Sequence, residues 1–465
     1  MDALLDSTLP KIRQRILATL SDHHVPGVAV AVVRDQELAW AEGFGLADIA
    51  TKRAMTPDAL FGVASISKTF TALAIMQLRD EGKLSLDDPL LKFIPEFEVA
   101  TCRYGRLEDV TLRRLLTHLS GLVGESPTPH WRSATFPTMA EILAGLAHSA
   151  LVIEPHSAFK YSNLGFALLG EVVARVSGRP FVEYARKEIL APIGMTSSCF
   201  TLEEAGTRMA TGYLPHPYED VPETAPATVD HRGYDAAAGL RSSVNDLAKW
   251  VSLQFRTKAG KRAGAQVVAG DSLSEMHRTV FVERDWKTGY CLAWWAIRIG
   301  ENIYHEHGGS NPGYLSSLAF NKQRKIGVVA LTNAQGHPAA SAITFQILEL
   351  LAQKADELGD GTAPTLAAPV ATPDDIKPLL GRYEEPNFGA LFHVEYRAGA
   401  LMLVIPGNPL WPPPPPPTRL LATDRELVFT MERGRGAGEP VTFVRGKDGA
   451  IAEFRFVEII YRKVA

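Results

Sequence analysis

The spacing of apolar positions divides the 465-residue chain into two stretches of different character. In KIRQRILATLSDH, Ile12, Ile16 and Leu20 recur at helical spacing and define one face. GVAVAVVRD and ELAWAEGFG read as two strands joined by a polar turn at Arg34 to Gln36. SKTFTALAIMQLRDEGKL is apolar nearly all round, which predicts a buried helix, with Gly82 placed to stop it. DVTLRRLLTHLSGL predicts a helix ended by Gly121, and NLGFALLGEVVARVSG and PFVEYARKEIL two more, separated by Gly178 and Pro180. SSVNDLAKWVSLQF predicts another, capped by Ser242 or Ser243 with Asp246 in its first turns. The period then changes to that of strands in YCLAWWAIRI, NIYHEHG, YLSSLAFN and KIGVVALTN, and AASAITFQILELLAQKAD returns to a helix. Strands at both ends with helices between predict a sheet whose first and last strands meet, in one domain over residues 1–358.

Residues 359–373 are rich in Ala, Pro, Gly and Thr and read as a linker. Residues 374–465 carry short strand-like runs such as LFHVEYRAG, ALMLVIPG and PVTFVRG, which predict a small antiparallel barrel or sandwich. Pro412 to Pro417 offer no ladder donors and read as a stiff extended loop.

Composition narrows the function. A net charge of −4 gives no electrostatic footprint for nucleic acid, and the basic run Arg256 to Arg262 reads as a solvated loop. Three cysteines, Cys102, Cys199 and Cys291, are odd in number and far apart, which suggests neither a disulfide scaffold nor a zinc cluster. No run is long enough to span a bilayer, and the N-terminus lacks the uninterrupted apolar core of a signal peptide. A cytoplasmic protein is the expectation, with a processed, secreted form left open.

Three short motifs carry candidate chemistry. In GVASISKTF, Ser65 and Lys68 are three apart, so a helix beginning at Ser65 would put both on one face. A serine becomes a nucleophile when a neighbour takes its proton, and a lysine can do so if burial and the helix dipole lower its pKa. Ser65 as a simple N-cap is the alternative. Ser157-x-x-Lys160 fits the same spacing but lies in a loop after Pro155. Tyr161-Ser162-Asn163 is the second motif. A phenolate near Lys68 could act as a base, because an adjacent cation lowers a tyrosine pKa, and Asn163 could orient the lysine or bind a substrate carbonyl. The alternative is a cap for the helix starting at about Leu164. The third is His307-Gly308-Gly309, where glycines admit a substrate to the backbone and the Ser310 N–H could help hold an oxyanion. His231-Arg232-Gly233 matches the spacing in a loop. His305 and His307 share a strand face, but no third ligand at a familiar spacing supports a metal, and no cofactor is implied.

Ser-x-x-Lys, Tyr-x-Asn and His-x-Gly in this chain order resemble the serine β-lactamase-like hydrolases: class C β-lactamases, DD-peptidases, D-aminopeptidases and family VIII carboxylesterases. VPGVAVAVV, TLRRLLTHLSGL, AAAGLRSSVNDLAKW and HGGSNPGYLSSLAF look like family segments, and the resemblance covers about residues 8 to 355. It implies an α/β fold, an antiparallel sheet flanked by helices plus a helical subdomain, with a small C-terminal lipocalin-like β domain. It implies Ser65 as acylated nucleophile, Lys68 and Tyr161 as the proton-transfer pair, and Asn163 as an orienter. It places His307 and Gly309 on the substrate-binding strand and makes the Ser65 and Ser310 N–H groups the oxyanion hole.

Two departures stand out. His307 replaces the lysine of β-lactamases and is mostly neutral at pH 7, which argues for peptidase or esterase relatives. Cys291 and Ala293 stand where relatives often carry glycine, which bears on the width of the pocket. The expected activity is hydrolysis of an ester, amide or peptide through an acyl-enzyme. Acyl transfer on the same site, or a non-catalytic penicillin-binding-like protein, are the alternatives, and homo-oligomerisation is left open.

Overall fold

The structure is a computed structural model that describes residues 3–128, 135–214, 222–225, 230–257, 265–358, 370–386, 391–397, 399–405, 417–432, 436–456 and 459–464. The chain forms two compact units, residues 1–361 and 362–465. Much of the predicted linker, Pro412 to Pro416 and most of the basic run after Arg256 lie outside the described residues.

In the first unit, alternate residues of the strand Gly27–Arg34 point to opposite faces, and both faces are covered. Val28, Val30 and Val32 share a core with Ile12, Ile16 and Leu20 of the helix Ala3–Asp22 and with Ile343, Ile347 and Leu351 of the helix Ala339–Leu358. Ala29, Ala31 and Val33 face the other way, into a larger core with the buried helix Ser67–Asp80 and the helices Asn163–Ser177 and Val244–Gln254. The smaller residues on this second face leave room for helices to approach the sheet closely.

Among the described residues the sheet has nine strands, all antiparallel. Their order is Phe281–Val282, Thr288–Tyr290, Trp295–Ile299, Asn302–Asn311, Tyr314–Asn321, Ile326–Thr332, Gly27–Arg34, Glu37–Asp48 and Arg53–Ala54. The first long strand pairs with the last, from Val28 opposite Thr332 to Arg34 opposite Ile326, as expected. Among the described residues of the second unit, eight strands, from Gly381–Glu384 to Ile459–Val464, close into an antiparallel barrel around Tyr383, Phe443 and Phe454.

Three expectations change. The helix predicted over DVTLRRLLTHLSGL covers only Leu112–Leu116, because the chain turns at His118, whose φ is +57°, before Gly121 is reached. The strand predicted over YCLAWWAIRI breaks into Thr288–Tyr290 and Trp295–Ile299, with Ala293 at φ +59° in the turn between them. A left-handed residue cannot continue a strand ladder. Finally, the cap of the helix Asn163–Ser177 is Ser162, whose Oγ accepts from the Gly165 N–H at 2.9 Å.

Candidate active site

Ser65 lies in a tight turn, Ala64–Ile66, and the helix proper begins at Ser67 rather than at Ser65. Ala64 has φ +46°, a left-handed conformation that costs energy for any side chain. It is held from both sides: the Val63 N–H donates to the Leu240 carbonyl at 3.0 Å, and the Leu240 N–H donates to the Ser67 hydroxyl at 3.1 Å. Ser67 is therefore a structural tie. This bracing presents Ser65, half-exposed, at the edge of the sheet.

Lys68, one turn further on, is completely buried. Its ammonium nitrogen donates to Ser65 Oγ at 3.0 Å and to the Ala237 carbonyl at 2.9 Å. Thr71 donates to the adjacent Ala236 carbonyl at 2.6 Å and so helps fix that acceptor. Burial lowers the Lys68 pKa to about 7, and the charge of Glu125 works against this. Near neutral pH a substantial fraction of the amine is thus unprotonated.

Tyr161 reaches the same serine from the other side, its phenol hydrogen-bonded to the Ser65 side chain. Lys68 Nζ lies 4.9 Å from the centre of its ring. The expectation that the lysine makes Tyr161 a phenolate is not met. Burial raises the phenol pKa further than the Ser65 hydrogen bond lowers it, and Glu125 and Glu306 add to the rise. At neutral pH Tyr161 therefore keeps its phenolic proton, while Lys68 is in part unprotonated.

His118 holds this tyrosine in place. Its carbonyl accepts from the Lys160 N–H at 2.8 Å and its Nδ1 accepts from the Ser162 N–H at 3.1 Å, so both neighbours of Tyr161 are tied to one residue. The imidazole lies under the Tyr161 ring with centroids 4.1 Å apart. Burial keeps His118 neutral, its pKa far below the usual histidine range, and the accepting Nδ1 requires that state.

Asn163 opens the next helix, but its amide donates to Glu125 and is not bonded to Lys68. The expected orienter of the lysine is instead held by an acid, while its buried Oδ1 has no partner among the described residues.

The strand Asn302–Asn311 supplies the remaining residues. His307 is buried, its Nδ1 bonded to the Gly308 carbonyl at 2.7 Å. Burial first, then the charge of Lys68, push its pKa down to about 3, so it adds no cation to the site. A Cβ on Gly309 would come within 2.1 Å of the Val63 carbonyl and 3.0 Å of the Ser65 nitrogen, so only glycine lets the strand lie this close to the nucleophile turn. Ser310 is exposed, one residue beyond. A two-residue turn joins Asn311 to Tyr314, and the adjoining strand Trp295–Ile299 pairs only as far as Glu306. By ladder alternation, the Ser310 N–H belongs to the unpaired edge beside Ser65. A cleft of about 470 Å³ opens here, lined by Ser65, Tyr161, Trp295, Glu306, His307, Gly309 and Ser310 among others.

The decoy motifs assemble nothing comparable. The Ser157 hydroxyl is exposed and donates to the Glu154 carbonyl at 2.6 Å. His231 is paired through Nε2 with Asn311 Oδ1 at 3.3 Å. His305 is bonded to the His277 carbonyl at 2.9 Å, and no group of three or more His, Cys, Asp or Glu among the described residues could hold a metal. Cys291 and Ala293 are fully buried and do not line the cleft. Sequence reasoning missed His118, Glu125, Trp295 and Glu306. His118 stands inside a segment that carries the family resemblance and Glu306 immediately before one, whereas nothing near Glu125 marks it as functional.

A nine-stranded antiparallel sheet between a pair of helices and a helical half is the β-lactamase-like fold, and the barrel unit follows it in the chain. The chain belongs to the Beta-lactamase family, whose model matches residues 12–352. It is 29% identical over 384 residues to penicillin-binding protein 4 of Amycolatopsis lactamdurans, covering 80% of this chain and 96% of that protein. Of other curated relatives it spans 63% of the length. Among solved structures, the octameric penicillin-binding protein homologue of Pyrococcus abyssi is 27% identical with a TM-score of 0.65, over 98% of this chain and all of that one. The D-alanine carboxypeptidase AmpC of Burkholderia cenocepacia, 21% identical, superposes with a TM-score of 0.61 over 74% of this chain and 99% of its own. Relatives and structural neighbours thus include hydrolases. No helix among the described residues is long and apolar enough to cross a membrane.

Proposed function

We propose that this protein is a serine hydrolase that cleaves an ester or amide, a small ester or a peptide possessing D-residues among the candidates, through an acyl-enzyme on Ser65. The observation that carries the reading is the pairing of Ser65 Oγ with a completely buried lysine whose pKa is lowered to about 7. Neutral Lys68 takes the Ser65 proton as Oγ bonds to the substrate carbonyl carbon. The carbonyl electron pair moves to oxygen, which the Ser65 and Ser310 N–H groups receive. Tyr161 gives its phenolic proton to the leaving oxygen or nitrogen as that bond breaks, and takes one back from Lys68. Water then attacks the acyl-enzyme by the reverse sequence. Asn163 positions the acyl side of the substrate, and His307 and Gly309 line its path along the strand edge.

The test is covalent labelling with a fluorophosphonate, mapped by mass spectrometry, beside turnover of p-nitrophenyl esters and amino-acyl p-nitroanilides. Label on Ser65 and turnover lost in Ser65→Ala support the reading. Label on Ser157, or on neither serine, overturns it. Labelling without turnover favours a non-catalytic penicillin-binding-like protein, and product partitioning to an added amine favours acyl transfer. The octameric homologue supports a homo-oligomer as a further proposal, measured by light scattering.

A further inference from the structure

One acidic group lining the cleft neither gives nor takes a proton in the steps proposed above. Glu306 stands on the strand that carries His307 and Gly309, directly opposite Trp295 in the ladder, and both residues line the cleft with Ser65. Its Oε1 lies 3.1 Å from where a Gly308 side chain would begin, so the carboxyl folds back along the strand edge. No hydrogen bond or ion pair joins it to any described residue. It is the only acid among the described residues lining the cleft, where no lysine or arginine is present and His307 is neutral. Burial alone pushes its pKa up to about 8, because no described residue offsets its charge.

We propose that Glu306 and Trp295 form an ammonium subsite, so that the cleft selects acyl donors bearing a free primary amine, such as amino-acid amides or peptides with an open N-terminus. The proposal names the substrate class of the hydrolase reading and rests on it. A carboxylate supplies the charge and an indole face attracts the same cation, while neither group favours a substrate carboxylate. The ammonium completes an ion pair whose acidic half is already in place, and Glu306 ionises as it binds. The absence of a cation at position 307 works in the same direction, because no described residue of the cleft competes for the acid.

The experiment is calorimetric titration of the full chain carrying Ser65→Ala, so that binding is read without turnover. The probes are leucine amide, N-acetyl-leucine amide and N-succinyl-leucine amide, each in both enantiomers, at pH 7. Leucine amide should bind at least tenfold more tightly than its acetylated form, the usual effect of one charged hydrogen bond. Adding Glu306→Gln should bring the two within threefold of each other, and Trp295→Leu should narrow the gap independently. Equal affinities, preference for the succinylated probe, selectivity that survives Glu306→Gln, or no binding of any probe at millimolar concentration would each overturn the proposal. Loss of Ser65 labelling in the unsubstituted protein would instead count against the hydrolase reading, so the two failures are separable.

Discussion

Lys68 Nζ lies 3.0 Å from Ser65 Oγ inside a site that excludes water from the amine completely. The desolvation that makes this lysine costly to charge also makes it a base at neutral pH. The acylation rate should therefore rise with pH along a single titration with a midpoint near 7, the value to which burial lowers Lys68. Below that midpoint the amine is protonated and cannot accept the serine proton. Stopped-flow labelling of Ser65 between pH 5 and pH 9 gives the profile, and Lys68→Arg, which keeps the charge at every pH, should lose several orders of magnitude. A flat profile would contradict the assignment of Lys68 as base.

Tyr161 and Lys68 both contact Ser65 and, in the proposed mechanism, exchange the same proton, so their losses should not add. Tyr161→Phe, Lys68→Ala and the double variant should fall by similar amounts in kcat. A double variant that loses the product of the two single effects would show that they act separately.

His118 should behave as a positioning residue for Tyr161. Asparagine tolerates its φ of +57° and can put an acceptor where Nδ1 receives the Ser162 N–H. His118→Asn should retain kcat within about tenfold, whereas His118→Phe, which fills the space without an acceptor, should lower kcat by roughly 100-fold or more with KM little changed. Equal activity of the two variants, measured at matched thermal stability, would make the residue a packing element only.

Gly309→Ala tests the close approach of strand and nucleophile turn. The new methyl would meet the Val63 carbonyl at 2.1 Å, so the strand must move away from Ser65. Displacing one oxyanion donor should lower kcat by about 10²- to 10³-fold. The variant should remain folded by circular dichroism. Near-normal kcat would remove the oxyanion role assigned to this edge.

Acid should destabilise the fold well before its surface carboxylates protonate. His118, His277, His305 and His307 are all held below the usual histidine pKa by burial. The unfolded chain therefore binds more protons as pH falls below about 6.5, and stability is lost in that direction. Glu306 and Asp235, raised to about 8 and about 7, act oppositely over the same range, but the histidines outnumber them. The urea midpoint should be lower at pH 5 than at pH 7; an unchanged or higher midpoint at pH 5 would refute the prediction.

The sequence by itself determined the elements and the family. Apolar spacing is a local property: it marked the strand Gly27–Arg34 and the buried helix after Ser65, and the order of Ser-x-x-Lys, Tyr-x-Asn and His-x-Gly marked the residues that meet. It overran at His118 and Ala293, where a backbone turn through positive φ is imposed by packing and not by the residue type. What only the tertiary structure decided is in which direction the pKa values of the two partners of Ser65 move. A pKa depends on burial and on charges distant in sequence, and Glu125, 57 residues from Lys68 and 38 from Asn163, is such a charge. The same holds for Glu306 and Trp295, ordinary residues of two strands until the ladder sets them side by side in one cleft.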